Sequence, residues 1–203
     1  SYPDAQWKTL THENVLPNSL MFGFSAYTSF RLPIEERWLQ AHVNRLLNNA
    51  ASLNLPIDVD LPTLKKYLDN LQEQYDGPAV RLTIYQNTQY YRQLFEEKNE
   101  SNYSMLMLSV YNLPCSEMQA LKLKTVIFER QLPQIKHGSM ADVIHLKQQV
   151  IAKDSTLNDI LLVNRDGHIS EASTSNIFFL RGDTIYTPEP ERDRCLPGVT
   201  RLQ

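Results

Sequence analysis

Three short stretches in the second half of the chain carry residues that could do chemistry together. Lys136 follows Ile135, where the pattern passes from apolar to polar, and precedes His137 and Gly138, a placement expected at a strand end rather than on a helix face. Glu171 closes a second expected strand. After it come Ala172, Ser173, Thr174, Ser175 and Asn176, and then Ile177-Phe178-Phe179-Leu180, which reads as a return to the core. Small polar residues between two buried strands leave space for something other than side chains. Leu196-Pro197-Gly198-Val199-Thr200-Arg201 sets a glycine and a hydroxyl beside an arginine, the ingredients of an anion cup at a helix start. Each residue also has an ordinary reading alone. Lys136 is one of nine lysines, usually solvated; Glu171 could be a strand-edge charge and Thr200 a helix cap.

The rest of the composition narrows the setting. At 203 residues and 42% apolar content, the chain is long enough for one large domain or two small ones with a true core. The net charge of −3 argues against a nucleic-acid partner, because phosphate recognition usually shows as a basic excess. No apolar run approaches the ~20 residues of a membrane span, and the first residues resemble no secretory signal, so a cytoplasmic protein is expected. Cys115 and Cys195 are too few for a disulfide framework, and the five dispersed histidines lack ligand spacing, so no metal is expected. His137 and His145 are read as bystanders.

The elements that must position these residues follow from periodicity. Leu20 to Arg31 reads as a buried strand broken by Gly23. From Glu35 the period becomes helical, with Leu39, Val43, Leu46, Leu47 and Ala50 on one face. A second helix is expected from Asp60, with Pro62 in its first turn, ending at Asp76-Gly77-Pro78. Strands are expected at Val80–Tyr85 and Ser104–Val110. Leu113-Pro114 is the natural boundary, giving a small α+β domain over 1–113 and a larger β-rich domain over 114–203. Beyond it, a strand at Thr125–Phe128 precedes a helix over Ser139–Lys153, with Val143, Ile144, Lys147, Val150 and Ile151 on one face. Short strands then alternate with Asp-Gly and Gly-Asp turns: Asp159–Asn164, His168–Glu171, Ser175–Leu180 and Thr184–Thr187.

In order and spacing, Glu171-Ala172-Ser173-Thr174-Ser175-Asn176-Ile177-Phe178, Gly182, Thr187-Pro188 and Leu196–Arg201 resemble the signature of class IV aminotransferases. These are pyridoxal-phosphate enzymes of fold type IV, including branched-chain and D-amino-acid transaminases and aminodeoxychorismate lyase. Tyr27-Thr28-Ser29-Phe30-Arg31 stands where the family has a Phe-Glu-Thr-Ile-Arg-like strand, and His42-Val43-Asn44-Arg45-Leu46 resembles the helix that follows. The resemblance implies a two-domain α+β chain with the D-amino-acid-aminotransferase-like fold, pyridoxal 5'-phosphate in the crevice between the domains, and a homodimer. It implies that Lys136 forms the Schiff base and shuttles protons, that Glu171 pairs with the pyridine nitrogen, and that Arg31 clamps the phosphate. The amides of Val199 and Thr200 and the Thr200 hydroxyl would complete the phosphate cup, with Ser175 and Asn176 beside the cofactor.

Departures from the family pattern refine the expectation. Four or five residues after the lysine, the transaminases usually carry a tyrosine; here those positions are Met140 and Ala141. Some aminodeoxychorismate lyases also lack it and carry Lys-His, as Lys136-His137 does. Thr83-Ile84-Tyr85-Gln86-Asn87 occupies the place of a Thr-Arg-Gly turn whose arginine binds a carboxylate in D-amino-acid transaminases, and Gln86 supplies no such charge. The sequence therefore leans toward a lyase that converts 4-amino-4-deoxychorismate to 4-aminobenzoate and pyruvate, in folate biosynthesis. A transaminase of branched-chain or D-amino-acid type is the alternative, and a non-catalytic relative the third. The family runs on for several dozen residues past the Gly-Val-Thr-Arg motif, so an incomplete C-terminal domain is expected.

Overall fold

The computed structural model describes residues 18–87, 103–111 and 119–202; the boundary expected at Leu113-Pro114, and Cys115 beside it, lie outside the described residues. A four-residue helix, α1 (Asn18–Met21), leads into strand β1 (Ser25–Arg31), so the strand begins five residues later than the apolar run suggests. The N–H groups of Gly23 and Phe24 bond back to the carbonyls of Leu20 and Ser19, which winds the segment into a helical turn before the strand. Helices α2 (Glu36–Ser52) and α3 (Leu61–Gln74) follow, then the antiparallel pair β2 (Ala79–Gln86) and β3 (Ser104–Tyr111). The sheet order is β1-β2-β3, with Thr28 opposite Leu82 and Leu82 opposite Leu108.

Helix α2 buries the expected stripe of Leu39, Val43, Leu46 and Ala50 against this sheet; Leu64 and Leu68 of α3 join the same core. Pro62 lies in the first turn of α3, where its missing N–H is no loss, but Asp60 makes no side-chain cap. In β1 the buried residues alternate, Ala26, Thr28 and Phe30 pointing inward and Tyr27, Ser29 and Arg31 to the other face. That alternation decides which β1 side chains can reach the site.

The second half is built on β4 (Leu123–Ile127), α4 (Ala141–Lys153), β5 (Asp159–Val163) and β6 (Ile169–Ala172). Strands β4 and β5 are parallel, which requires the α4 crossover; β6 then returns antiparallel, with an irregular register between Leu161 and Val163. A separate hairpin pairs β7 (Phe179–Arg181) with β8 (Thr184–Tyr186), and a short 3-10 turn covers Val199–Leu202. The class is α+β.

Two expectations fail here. Helix α4 buries only Val143 fully, and Ile144 is 50% exposed, because its apolar stripe borders an open groove of about 530 Å³ instead of a packed layer. Residues 175–178 are not a strand, and Phe178, Phe179 and Leu180 are exposed rather than buried. The chain there is held by side-chain bonds, described below, so the apolar run marks an uncovered surface and not a core strand. Among the described residues no helix is long and apolar enough to cross a membrane.

Candidate active site

Lys136 sits in a loop between β4 and α4, not at a strand end, and the loop is stitched to the edge of β1. The Tyr27 N–H donates to the Lys136 carbonyl at 2.9 Å, Gly138 N–H donates to Ser25 O at 2.9 Å, and His137 bridges Ala26. Ile135 packs against the core of the first half, anchoring the residue next to the lysine. A Cβ at position 138 would lie 2.5 Å from Ser25 Oγ and 3.1 Å from the Gly23 carbonyl, so a larger residue would displace the Ser25 side chain and press on the β1 edge. The His137 ring turns away to the Gln131 carbonyl at 3.0 Å. Its role is structural, and the Lys-His pair has no chemical partner in its second member.

The lysine is thereby held in a cleft of about 390 Å³ between the two halves. Its walls include Tyr27, Ser29, His42, Arg45, Arg130, Met140, Glu171, Ser173 to Asn176 and Leu196 with Gly198 to Thr200. Burial, reinforced by the charges of Arg45 and Arg130, pushes the Lys136 amine down to about 8, while Glu171 pulls the other way. A basic amine that is partly neutral near pH 8 is available as a nucleophile and as a proton acceptor.

Glu171, at the end of β6, is 3% exposed. Its Oε1 accepts a 2.7 Å bond from Arg130 Nη1, and its Oε2 a 3.3 Å bond from the Leu196 N–H. Burial raises the carboxyl above its ordinary value, and the Arg130 guanidinium opposes that shift. The cleft thus contains a buried carboxylate already neutralised by a buried arginine. Arg130 was not singled out from the sequence; the signal available was the buried glutamate itself, which requires a cationic partner.

The opposite end of the cleft is cationic. Arg45 lies on α2 three residues after His42, so both project from one helical face. Its Nη2 donates to Thr28 Oγ1 at 2.8 Å, while its Nε is buried with no hydrogen-bond partner among the described residues. Near it, Val199 and Thr200 open the 3-10 turn, and Asn176 Nδ2 donates to the Leu196 carbonyl at 2.9 Å, bracing the strand of chain that leads there. A Cβ on Gly198 would collide with Asn176 Oδ1, so glycine lets the Asn176 side chain come this close. Arg201 and Thr187 tie down the back of the loop, Arg201 Nη1 donating to Thr187 Oγ1 at 2.6 Å and Thr187 Oγ1 donating to Ile177 O at 2.8 Å.

The structure therefore brings Lys136, Glu171, Ser175, Asn176, Val199 and Thr200 to one cleft, and leaves Arg31 out of it. Arg31 ends β1 on the exposed rim, with Nη1 at 3.4 Å from the Gly77 carbonyl. It shares a face with Tyr27, but four residues along an extended strand is a displacement of about 13 Å. Arg45, on α2, lines the cleft instead. The sequence signal was there: His42 and Arg45 are polar residues flanking the buried Val43–Leu46 stripe instead of standing opposite it.

The donor set fits pyridoxal phosphate on the structure's own terms. The cleft that Arg45 lines holds a buried guanidinium N–H without a hydrogen-bond partner among the described residues, together with a buried carboxylate, a hydroxyl at Thr200 and an amine of lowered basicity, the donor and acceptor types such a cofactor requires.

Comparison with known proteins gives the same picture. Residues 28–203 match the family model of amino-transferase class IV. The probable branched-chain-amino-acid aminotransferase of Rickettsia typhi is 26% identical over 214 residues, covering 98% of this chain and 68% of its own length. The branched-chain-amino-acid aminotransferase of Pseudomonas aeruginosa is 24% identical, covering 97% of this chain and 67% of its own. Among solved structures, the branched-chain aminotransferase of Thermoproteus uzoniensis with norvaline superimposes with a TM-score of 0.77 at 18% identity, over 94% of this chain and 68% of that one. A Legionella pneumophila protein provisionally named 4-amino-4-deoxychorismate lyase gives 0.74 at 19% identity, over 98% and 72%. At such identities the structural likeness establishes the fold.

Proposed function

The chain belongs to the class IV aminotransferase family, and from that premise we propose that it transfers the amino group of a small amino acid to a keto acid. It is a pyridoxal-phosphate-dependent enzyme. When bound, that cofactor supplies an aldehyde that condenses with primary amines and a ring that withdraws electrons from the neighbouring carbon. The observation that carries the reading is the Lys136 amine, pushed down to about 8 in a cleft it shares with the Glu171–Arg130 pair and Arg45.

Each residue then has a task. Lys136 would hold the cofactor through its amine and would serve as the base and acid that moves a proton at the substrate's amino-bearing carbon. Glu171, kept in place by Arg130 and the Leu196 N–H, would hold the pyridine nitrogen. Arg45, the amides of Val199 and Thr200 and the Thr200 hydroxyl would hold the phosphate. Ser175 lines the wall, and Asn176 acts through the Leu196 carbonyl. The Arg81 guanidinium, 4.6 Å from the centroid of the Tyr27 ring, offers a cation for the substrate carboxylate near the lysine.

The reaction is the finer part of the proposal. The curated relatives are named as branched-chain aminotransferases, which favours amino transfer. The second reading is the lyase: Met140, with no hydroxyl, lines the cleft where transaminases of this family usually place a tyrosine, and the Legionella neighbour carries the lyase name. In that case Lys136 takes the proton from the ring carbon that bears the amine, and pyruvate leaves. One assay separates them. With pyridoxal phosphate present, amino transfer consumes a branched-chain amino acid only when a keto acid is supplied, whereas the lyase releases pyruvate from 4-amino-4-deoxychorismate without one. Failure of both sinks the enzymatic reading of this chain.

The division into residues 1–113 and 114–203 belongs to the same proposal, supported by a buried hydrophobic core drawn from the first half, Ala26 to Ile84. So does the homodimer, which light scattering of the purified chain tests directly.

A further inference from the structure

Thr28 lies fully buried on the inner face of β1, an unusual place for a hydroxyl, and both of its polar contacts run toward the cleft. Arg45 Nη2 donates to Thr28 Oγ1 at 2.8 Å, and Thr28 Oγ1 lies 2.7 Å from His42 Nδ1. A guanidinium has only donors, so the Arg45 bond uses one lone pair of the hydroxyl. The second lone pair and the single hydrogen let Thr28 meet His42 Nδ1 in either tautomer of the neutral ring, so the contact holds in both. The His42 ring is fixed from the side by Phe30, with ring centroids 5.2 Å apart. Burial and the charges of Arg45 and Lys136 push its pKa down to about 4, which keeps it neutral near neutral pH.

We infer that His42 and Thr28 form a hydroxyl relay that orients the Arg45 guanidinium in the cleft wall, so that it selects a phosphorylated cofactor. The inference rests on the cofactor reading above. His42 and Thr28 are positioning residues in it: neither touches the ligand, and their effect passes through Arg45. Without the relay Arg45 keeps its charge and its helix but loses the bond that fixes its plane, and a planar donor fork recognises an oxyanion through that plane.

The test uses the full chain, freed of cofactor, and two ligands that differ only in the phosphate: pyridoxal phosphate and pyridoxal. Affinity for each is read by absorbance, and the protection of the apo protein by inorganic phosphate against thermal unfolding is read separately. Thr28→Val removes the hydroxyl at constant shape, and His42→Leu removes its ring partner. Both are expected to weaken pyridoxal phosphate roughly tenfold, as for loss of one hydrogen bond to a charged group, and to lower phosphate protection, with pyridoxal unchanged. Thr28→Ser and His42→Asn, which keep the hydroxyl and an acceptor, are expected to restore affinity to within about threefold of the parent. Equal weakening of both ligands by Thr28→Val, or no rescue by Thr28→Ser, overturns the relay. A parent chain that prefers the phosphorylated ligand while all four variants behave like it also overturns the relay, but leaves the cofactor reading standing. A parent chain that does not distinguish the two ligands overturns both.

Discussion

Lys136 and Tyr27 hold each other at two points: the Tyr27 N–H donates to the Lys136 carbonyl at 2.9 Å, and the Lys136 Nζ lies 4.8 Å from the centroid of the Tyr27 ring. The reactive side chain is therefore registered against β1 through its own backbone. The amine inherits its surroundings from that register, with Arg45 and Arg130 near enough to repel its charge.

The depressed amine sets a pH dependence for cofactor capture. The neutral form of Lys136 accumulates as pH rises through about 8, not through the ordinary lysine range. The rate at which the apo protein takes up pyridoxal phosphate should rise up to that pH and then level off. Stopped-flow absorbance checks this, and a rate still climbing steeply at pH 10 would contradict the assigned environment.

The same shift predicts a stability effect with a definite sign. Lys136 is harder to protonate folded than unfolded, so its charge costs stability below pH 8, and the cost is relieved between about pH 8 and the ordinary lysine value of 10.5. Lys136→Met, which keeps the stem, should raise stability at pH 7 by on the order of 1–3 kcal/mol while abolishing turnover. Urea melts at pH 7 and pH 10 test it; the gain should shrink at the higher pH.

Arg130 and Glu171 are 8% and 3% exposed and joined at 2.7 Å, so breaking the pair strands a charge. Arg130→Met should destabilise the apo protein by about 3–5 kcal/mol. The double change Arg130→Met with Glu171→Leu should cost less than that single change, because no lone charge is left behind. Denaturant unfolding of both variants provides the comparison.

Gly198→Ala introduces a Cβ into Asn176, which must then release the Leu196 carbonyl. The expected loss is about 1–3 kcal/mol of stability, with a larger relative loss of affinity for pyridoxal phosphate than for pyridoxal. Differential scanning calorimetry and ligand titration together report the two effects.

The sequence carried the α2 stripe, the strands β2 and β3 and the existence of β4 and β5, because periodicity reports burial directly; the parallel pairing of β4 with β5 came from the structure. It also carried Lys136 and Glu171, since their motif neighbours are local. Arg31 misled because strand position, not residue type, decides reach: it shares the face of Tyr27 but sits at the far end of β1. Arg45 meets Lys136 only after the two halves pack, and Arg130 reaches Glu171 across 41 positions within the second half, so neither relation shows in the local sequence. The run Ile177–Leu180 misled in the other direction, since apolar sequence signals a need for cover and not the presence of it; Leu180 is 75% exposed.

The central claim is that Lys136 is the residue that takes the cofactor. The direct measurement is borohydride reduction of the chain incubated with pyridoxal phosphate, followed by peptide mapping. A single pyridoxyl adduct on Lys136, absent from Lys136→Met, is the predicted result. An adduct distributed over the surface lysines, or none on Lys136, would contradict the account.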